Sequence, residues 1–216
     1  MGKVIWDIKN VELELKDAFS SSSEIKLLKT LKNNSFLFYH LYSRKGGIQP
    51  VFREITFGSK FRCDFAWLND NSDGPEWVLV EVEKPNMRIF NKNRKPSAEL
   101  NAAVEQVKTW QRYFHENNSE KNRIFGAVAR FRYILVAGEK SDWDDEGARK
   151  WRTFHNSNDN IEIRTTDVFL RALDDYKKQP IQFWSFEENP KTIEASKIEN
   201  YWKEYGYMDQ MRKIYN

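Results

Sequence analysis

Asp64, Glu81 and Glu83 are the residues of this chain whose types and spacing suit chemistry. They lie in RCDFAWLNDNSDGPEWVLVEVEKP, residues 62 to 85, which reads as two β-strands around a polar turn. On the first strand Phe61, Cys63, Phe65 and Trp67 alternate with Arg62, Asp64, Ala66 and Leu68, so strand period sets Asp64 opposite the aromatics. On the second, Glu81 and Glu83 are two residues apart and share a face, with Val78, Val80 and Val82 on the other. A hairpin built this way brings Asp64 beside Glu81. Carboxylates gathered at the end of an apolar strand pair are costly unless a cation sits between them. Magnesium takes oxygen ligands, uses one or two carboxylates and keeps waters, one of which can attack a phosphodiester. The expectation is therefore Mg²⁺, with Mn²⁺ as substitute, on Asp64 and Glu81, with Glu83 beside them. The plainer alternative is a pair of half-exposed strands whose carboxylates are solvated.

Neighbouring features favour the metal. The Val78-Leu79-Val80 run before Glu81 has the character of an interior strand, where solvated carboxylates are uncomfortable. A basic loop with Arg88, Lys92, Arg94 and Lys95 leaves the same strand end, where a phosphate backbone would pass. Beyond it, Gln106 stands among alanines on a helix face expected to pack on the sheet.

The elements that must position these residues follow from periodicity and punctuation. Residues 4 to 16, with Val11, Leu13 and Leu15 alternating, read as a strand-like opening element. Ser23 caps a helix carrying Ile25, Leu27, Leu28 and Leu31, and residues 51 to 57 form a first strand that turns at Gly58-Ser59. After the hairpin, Ser97 caps a helix that runs to about Phe114, with Ala102, Ala103, Gln106, Trp110 and Tyr113 along one side. Residues 117 to 122 read as a polar loop and 131 to 137 as a buried strand. Helix is expected at 144 to 154, strand at 161 to 164, helix at 166 to 178, an irregular aromatic stretch at 180 to 190 and helix at 191 to 205. The order predicts an α/β sandwich around a mixed sheet, antiparallel first and joined by crossovers later. Three regions are expected: a lead-in over 1–35, a core over 36–178 and an aromatic, helical extension over 179–216.

Composition bounds the function. With 216 residues, 40% hydrophobic and 15% aromatic, the chain suits one domain with a sizeable core. No apolar run approaches the ~18 residues of a membrane span, and no signal-peptide layout opens the chain. The single cysteine, Cys63, excludes an internal disulfide and fits a reducing cytoplasm. A net charge of +3 permits a nucleic-acid partner without requiring one. His40, His115 and His155 lack metal-ligand spacing. Tyr201, Trp202, Tyr205 and Tyr207 read as core or as a contact within a homo-oligomer more readily than as base-stacking platforms.

DFAWL, then WVLVEVEKP, then AELNAAVEQVKTWQRYF resembles the PD-(D/E)XK nuclease superfamily, within it most closely the nuclease domain of the Shedu antiphage-defence proteins. The similarity covers roughly residues 50 to 175. It implies a restriction-endonuclease-like fold and metal-dependent DNA cleavage, with Asp64 and Glu81 matching the metal carboxylates and Gln106 the helix glutamine, followed by Trp110. Glu54 would match a further acidic residue near the metal. One position departs: Glu83 stands where the motif has lysine, and Lys84 comes one residue late. Either Glu83 serves in that slot, or a bulge after Val82 swings Lys84 in. A catalytically degenerate DNA-binding or regulatory subunit on the same fold is the competing reading.

Overall fold

The hairpin that carries the carboxylates is the centre of the sheet. Its strands are β2, Phe61–Asn71, and β3, Gly74–Val82, paired antiparallel from Phe65↔Val80 to Asn71↔Gly74. The strands run further into the polar cluster than the sequence suggests, and Gly74, at φ +102°, takes the turn. In this computed structural model residues 5–158 and 160–215 are described. β1, Phe52–Phe57, pairs antiparallel with β2; β4, Arg130–Val136, pairs parallel with β3; and β5, Ile161–Arg164, pairs parallel with β4. A two-residue strand β6, Ile193–Glu194, lies parallel to β1 and completes a six-stranded sheet of order β5-β4-β3-β2-β1-β6. This is the expected mixed α/β sandwich, with the antiparallel meander preceding the parallel crossovers.

Helices cover both faces. One core layer combines Leu79, Leu135 and Phe52 with α3, Ala98–Glu116, through Leu100, Ala103, Val104, Val107, Trp110 and Phe114. Ser97 caps α3, its hydroxyl accepting the Leu100 N–H at 3.0 Å. α4, Asn118–Phe125, α5, Glu146–Asn158, and the C-terminal helices α7, Ile198–Glu204, and α8, Gly206–Tyr215, add Phe125, Ala148, Trp202 and Met208 to this layer. The opposite layer gathers Phe65, Trp67, Val78, Val80 and Val82 under α1, Ile8–Ser20, α2, Glu24–Asn33, and α6, Asp167–Lys178.

Several local expectations fail for identifiable reasons. The opening element is a helix: Val11, Leu15 and Ala18 are buried at helical spacing, whereas Leu13 is 65% exposed, so the apparent alternation misled. Val4 of that expected element lies outside the described residues. Residues 118–125 form α4 because Ile124 and Phe125 anchor it to the core despite a polar first half. Instead of one helix over 191–205 there is β6, a short 3-10 turn and then α7. The extension is thus woven into the same sheet and the same core as the rest.

Candidate active site

Asp64 and Glu81 meet where the β2–β3 ladder stops. The register that pairs Phe65 with Val80 sets these two residues opposite each other at the next step. Side-chain alternation slips here: Cys63 and Ala66 share one core while Phe65 lies in the other, and on β1 Phe52 and Ile55 share a core across Glu54. Between the pairs Arg53↔Phe65 and Ile55↔Cys63 stands Glu54, a non-glycine residue in the left-handed region at φ +56°. Cys63 therefore does not continue the aromatic face as its spacing suggested. Asp64 is 8% exposed, and its Oδ2 accepts the Val82 N–H at 2.9 Å, replacing the next rung of the ladder.

Glu81 points toward α3, where Gln106 Nε2 donates to its Oε1 at 2.5 Å. Glu81 Oε2 is buried and has no hydrogen-bond partner among the described residues. Gln106 itself is exposed at the margin of the buried α3 stripe rather than packed on the sheet, and Ala102 is exposed as well. Beyond Val82 the ladder continues without an inserted residue, the Glu83 N–H donating to Val136 O at 2.9 Å. Lys84 turns to α3 and pairs with Glu99 at 3.2 Å. The strand is therefore regular at the motif position, and no bulge presents Lys84.

The electrostatics follow from this geometry. Burial lifts the Asp64 carboxyl to about 6 against a partial offset from the Val82 N–H, and Glu24 pushes it further. Burial, then Asp64 and Glu83, push Glu81 well above the usual carboxylate range, with Gln106 opposing. Burial followed by Glu24 and Asp64 lifts Glu83 to about 7. These are carboxylates that repel one another, and the cations that act on them, Arg62 and Lys32 on Asp64 and Lys84 on Glu83, are outweighed.

A cleft of about 630 Å³ opens over them, lined by Asp64, Glu81, Gln106 and Trp110 and walled by Glu24 of α2 and by residues 58–62 of the β1–β2 turn. α2 approaches from one face of the sheet and α3 from the other. The turn is held in place by Glu120 of α4, whose carboxylate accepts the Gly58 N–H at 3.0 Å. Sequence reasoning missed Glu24, Lys60 and Arg62, since nothing local marks a helix N-terminus or a turn as belonging to a distant strand end.

Other expected residues fall outside the cleft lining. Glu83 stands beside it, coupled to Asp64 through charge. Arg88, Lys92, Arg94 and Lys95 lie on the loop between β3 and α3, where Arg88 Nε donates to Phe90 O at 3.1 Å and Arg94 faces Asp145 at 3.8 Å. The Glu54 carboxylate is taken by Lys32 at 2.9 Å and does not line the cleft, whereas Glu24 does.

Among the described residues no group of three or more His, Cys, Asp or Glu side chains is arranged to hold a metal ion. A magnesium ion needs only one or two protein carboxylates and completes its shell with water. The orphaned Glu81 Oε2 beside Asp64 fits that requirement.

Fold and site together define an α/β sandwich protein whose sheet ends in an acidic cleft. A family model described as Shedu protein SduA, C-terminal, matches residues 21–170, and the chain belongs to that family. No curated protein matches the chain. Among the described residues no helix is long and apolar enough to cross a membrane.

Proposed function

We propose that the chain is a metal-dependent endonuclease of the PD-(D/E)XK type that hydrolyses DNA phosphodiester bonds in antiphage defence. One observation carries this reading: the buried Asp64 and the half-buried Glu81 face each other at the floor of an open cleft, and the buried Oε2 of Glu81 is unpartnered. Asp64 and Glu81 are the residues that would hold Mg²⁺ or Mn²⁺. When bound, that ion supplies Lewis-acid stabilisation of the phosphoryl oxygens and lowers the pKa of a coordinated water.

The protein's own residues supply the rest. The Val82 N–H fixes the Asp64 carboxylate, and Gln106 fixes Glu81 from α3. Glu83, lifted to about 7, is suited to take a proton from the attacking water near neutral pH. Arg88, Lys92, Arg94 and Lys95 contact phosphates beyond the cleft. The test is nicking of supercoiled plasmid by purified protein with Mg²⁺ or Mn²⁺ and with EDTA. Nicking that requires the ion and disappears in Asp64→Asn supports the reading. A plasmid that shifts in a gel yet stays intact with every ion supports the DNA-binding subunit instead.

A further inference from the structure

The cleft does not end at the carboxylates. Next to it lies a second hollow of about 520 Å³, lined by Ile25, Lys29, Lys32 and Arg53 with Glu54 and Glu194. The two share no lining residue, but residues of each adjoin. Glu24 and Ile25 are neighbours on α2, one lining each hollow. Glu54 joins them as well, meeting Lys32 at 2.9 Å and Arg62, which lines the cleft, at 3.9 Å. Together they make one trough that starts at Asp64 and Glu81 and runs between α2 and the β1–β2 hairpin.

Away from the acidic floor the trough is positive. Lys29, Lys32, Arg53, Lys60 and Arg62 outnumber the carboxylates beside them there, which are Glu24, Glu54 and Glu194. Lys32 and Arg62 share Glu54, and Arg53 holds Glu194 at 3.0 Å. Lys29 and Lys60 are exposed, and their ammonium groups have no ion-pair or hydrogen-bond partner among the described residues. Holding several cations in one trough with two of them unpaired is unfavourable unless an extended anion lies along it. The floor, by contrast, repels a lone anion until a divalent cation is present.

We infer that this trough is a track for the phosphodiester backbone of DNA, with Lys60 and Arg62 holding phosphates next to the reacting one and Lys29, Lys32 and Arg53 holding those further along. The inference rests on the nuclease reading for its direction, since it takes Asp64 and Glu81 as the place of the reacting phosphate. It assigns the main backbone contacts to α2 and the β1–β2 hairpin rather than to the loop at 88–95. Lys32 and Arg53 do double duty, because their carboxylate partners keep them in place for the strand.

The experiment compares two double variants of the full chain, Lys29→Glu/Lys60→Glu and Lys92→Glu/Lys95→Glu, in Ca²⁺ buffer. Binding of a fluorescein-labelled DNA duplex and of its single strand is followed by anisotropy over a salt series. All four lysines are exposed, so folding is checked by an unchanged Tm. Expected for Lys29→Glu/Lys60→Glu is binding weaker by about tenfold or more, with the slope of log K against log salt reduced by about two contacts' worth, at ~0.9 each. The Lys92→Glu/Lys95→Glu pair changes both by less. The inference is overturned if the trough variant binds like wild type, if the loop variant loses more, or if wild type binds no DNA. Plasmid nicking separates the two ideas: a trough-dependent binder that never nicks keeps the track and loses the nuclease, whereas a nuclease indifferent to Lys29 and Lys60 loses the track alone.

Discussion

The two ends of the β2–β3 hairpin carry the same residue types and treat them in opposite ways. At the turn end Glu76 is 8% exposed, the same as Asp64 at the open end. Glu76 receives the Arg130 guanidinium at 2.6 Å and the Asn69 amide at 2.6 Å. Nearby Asp70 accepts the Tyr205 hydroxyl, and Asp73 lies 3.7 Å from Arg130. At the open end Asp64 has a backbone N–H, Glu81 has an amide, and among the described residues no cation pairs directly with either. Equal burial with unequal provision is what the proposed nuclease requires of one carboxylate kept for structure and another kept for a ligand, because an unpaired buried charge is tolerated only where something else supplies the countercharge.

The largest effect expected from this contrast is an exchange of phenotypes. Asp64→Asn keeps an acceptor for the Val82 N–H, so it leaves Tm unchanged or raises it by removing a repelling charge. Cleavage should fall by at least about 10²–10³-fold, the range for losing one group that stabilises developing charge. Calorimetry should show the loss of Mg²⁺ binding with it. Glu76→Gln should do the reverse, costing about 1–2 kcal/mol, discounted because Arg130 is half exposed, while leaving cleavage in place. If Asp64→Asn unfolds the protein and Glu76→Gln silences it, the two ends have been assigned the wrong way round.

A smaller effect sharpens the open end itself. The regular ladder through Glu83 predicts that Glu83→Gln lowers turnover by about 10²–10⁴-fold as a lost proton acceptor. Gln106→Ala, which frees Glu81 without removing a charge, should lower it by roughly 10²-fold. Lys84→Ala should leave most of the activity, since its ammonium is engaged by Glu99. Rate measurements in which Lys84→Ala is the dead variant and Glu83→Gln is near normal would return the lysine to the reacting phosphate.

The facing of Asp64 and Glu81 was legible because both strands alternate cleanly from the turn outward and the register needs only a hairpin. The slip at Asp64 was not, because it coincides with an unusual backbone at Glu54 on the neighbouring strand, and a positive φ at a glutamate leaves no mark in composition. The α3 helix was readable from Ser97 and its apolar spacing, whereas α4 was hidden by its polar opening. Glu24, Lys60 and Arg62 reach the cleft only through tertiary packing of α2 and the β1–β2 turn. Gln106 stood out in the sequence as a polar residue among alanines, and it lies exposed at the helix margin, bonded to Glu81, rather than in the core.

The smallest effect lies in the pH dependence of stability without metal. Asp64 is lifted from 3.8 to about 6 and Glu83 from 4.5 to about 7. A carboxyl whose folded pKa is raised binds its proton more tightly in the folded state, so its contribution is complete below the unfolded pKa and is lost as pH rises through the folded one. In EDTA, the open end should therefore make the protein less stable at about pH 8 than at about pH 4, the loss beginning near the ordinary carboxylate values and running up to the raised ones of about 6 and about 7. The double variant Asp64→Asn/Glu83→Gln removes that component, and Glu76→Gln at the other end keeps it. Because other carboxylates titrate as well, the measurement is the difference in Tm between each variant and wild type at each pH. Identical profiles for wild type and the double variant would show that the open end carries no stored repulsion. Saturating Mg²⁺ should abolish the wild-type component at high pH, where the carboxylates are ionised, and lose its effect as pH falls below about 6, where protons compete for the same oxygens.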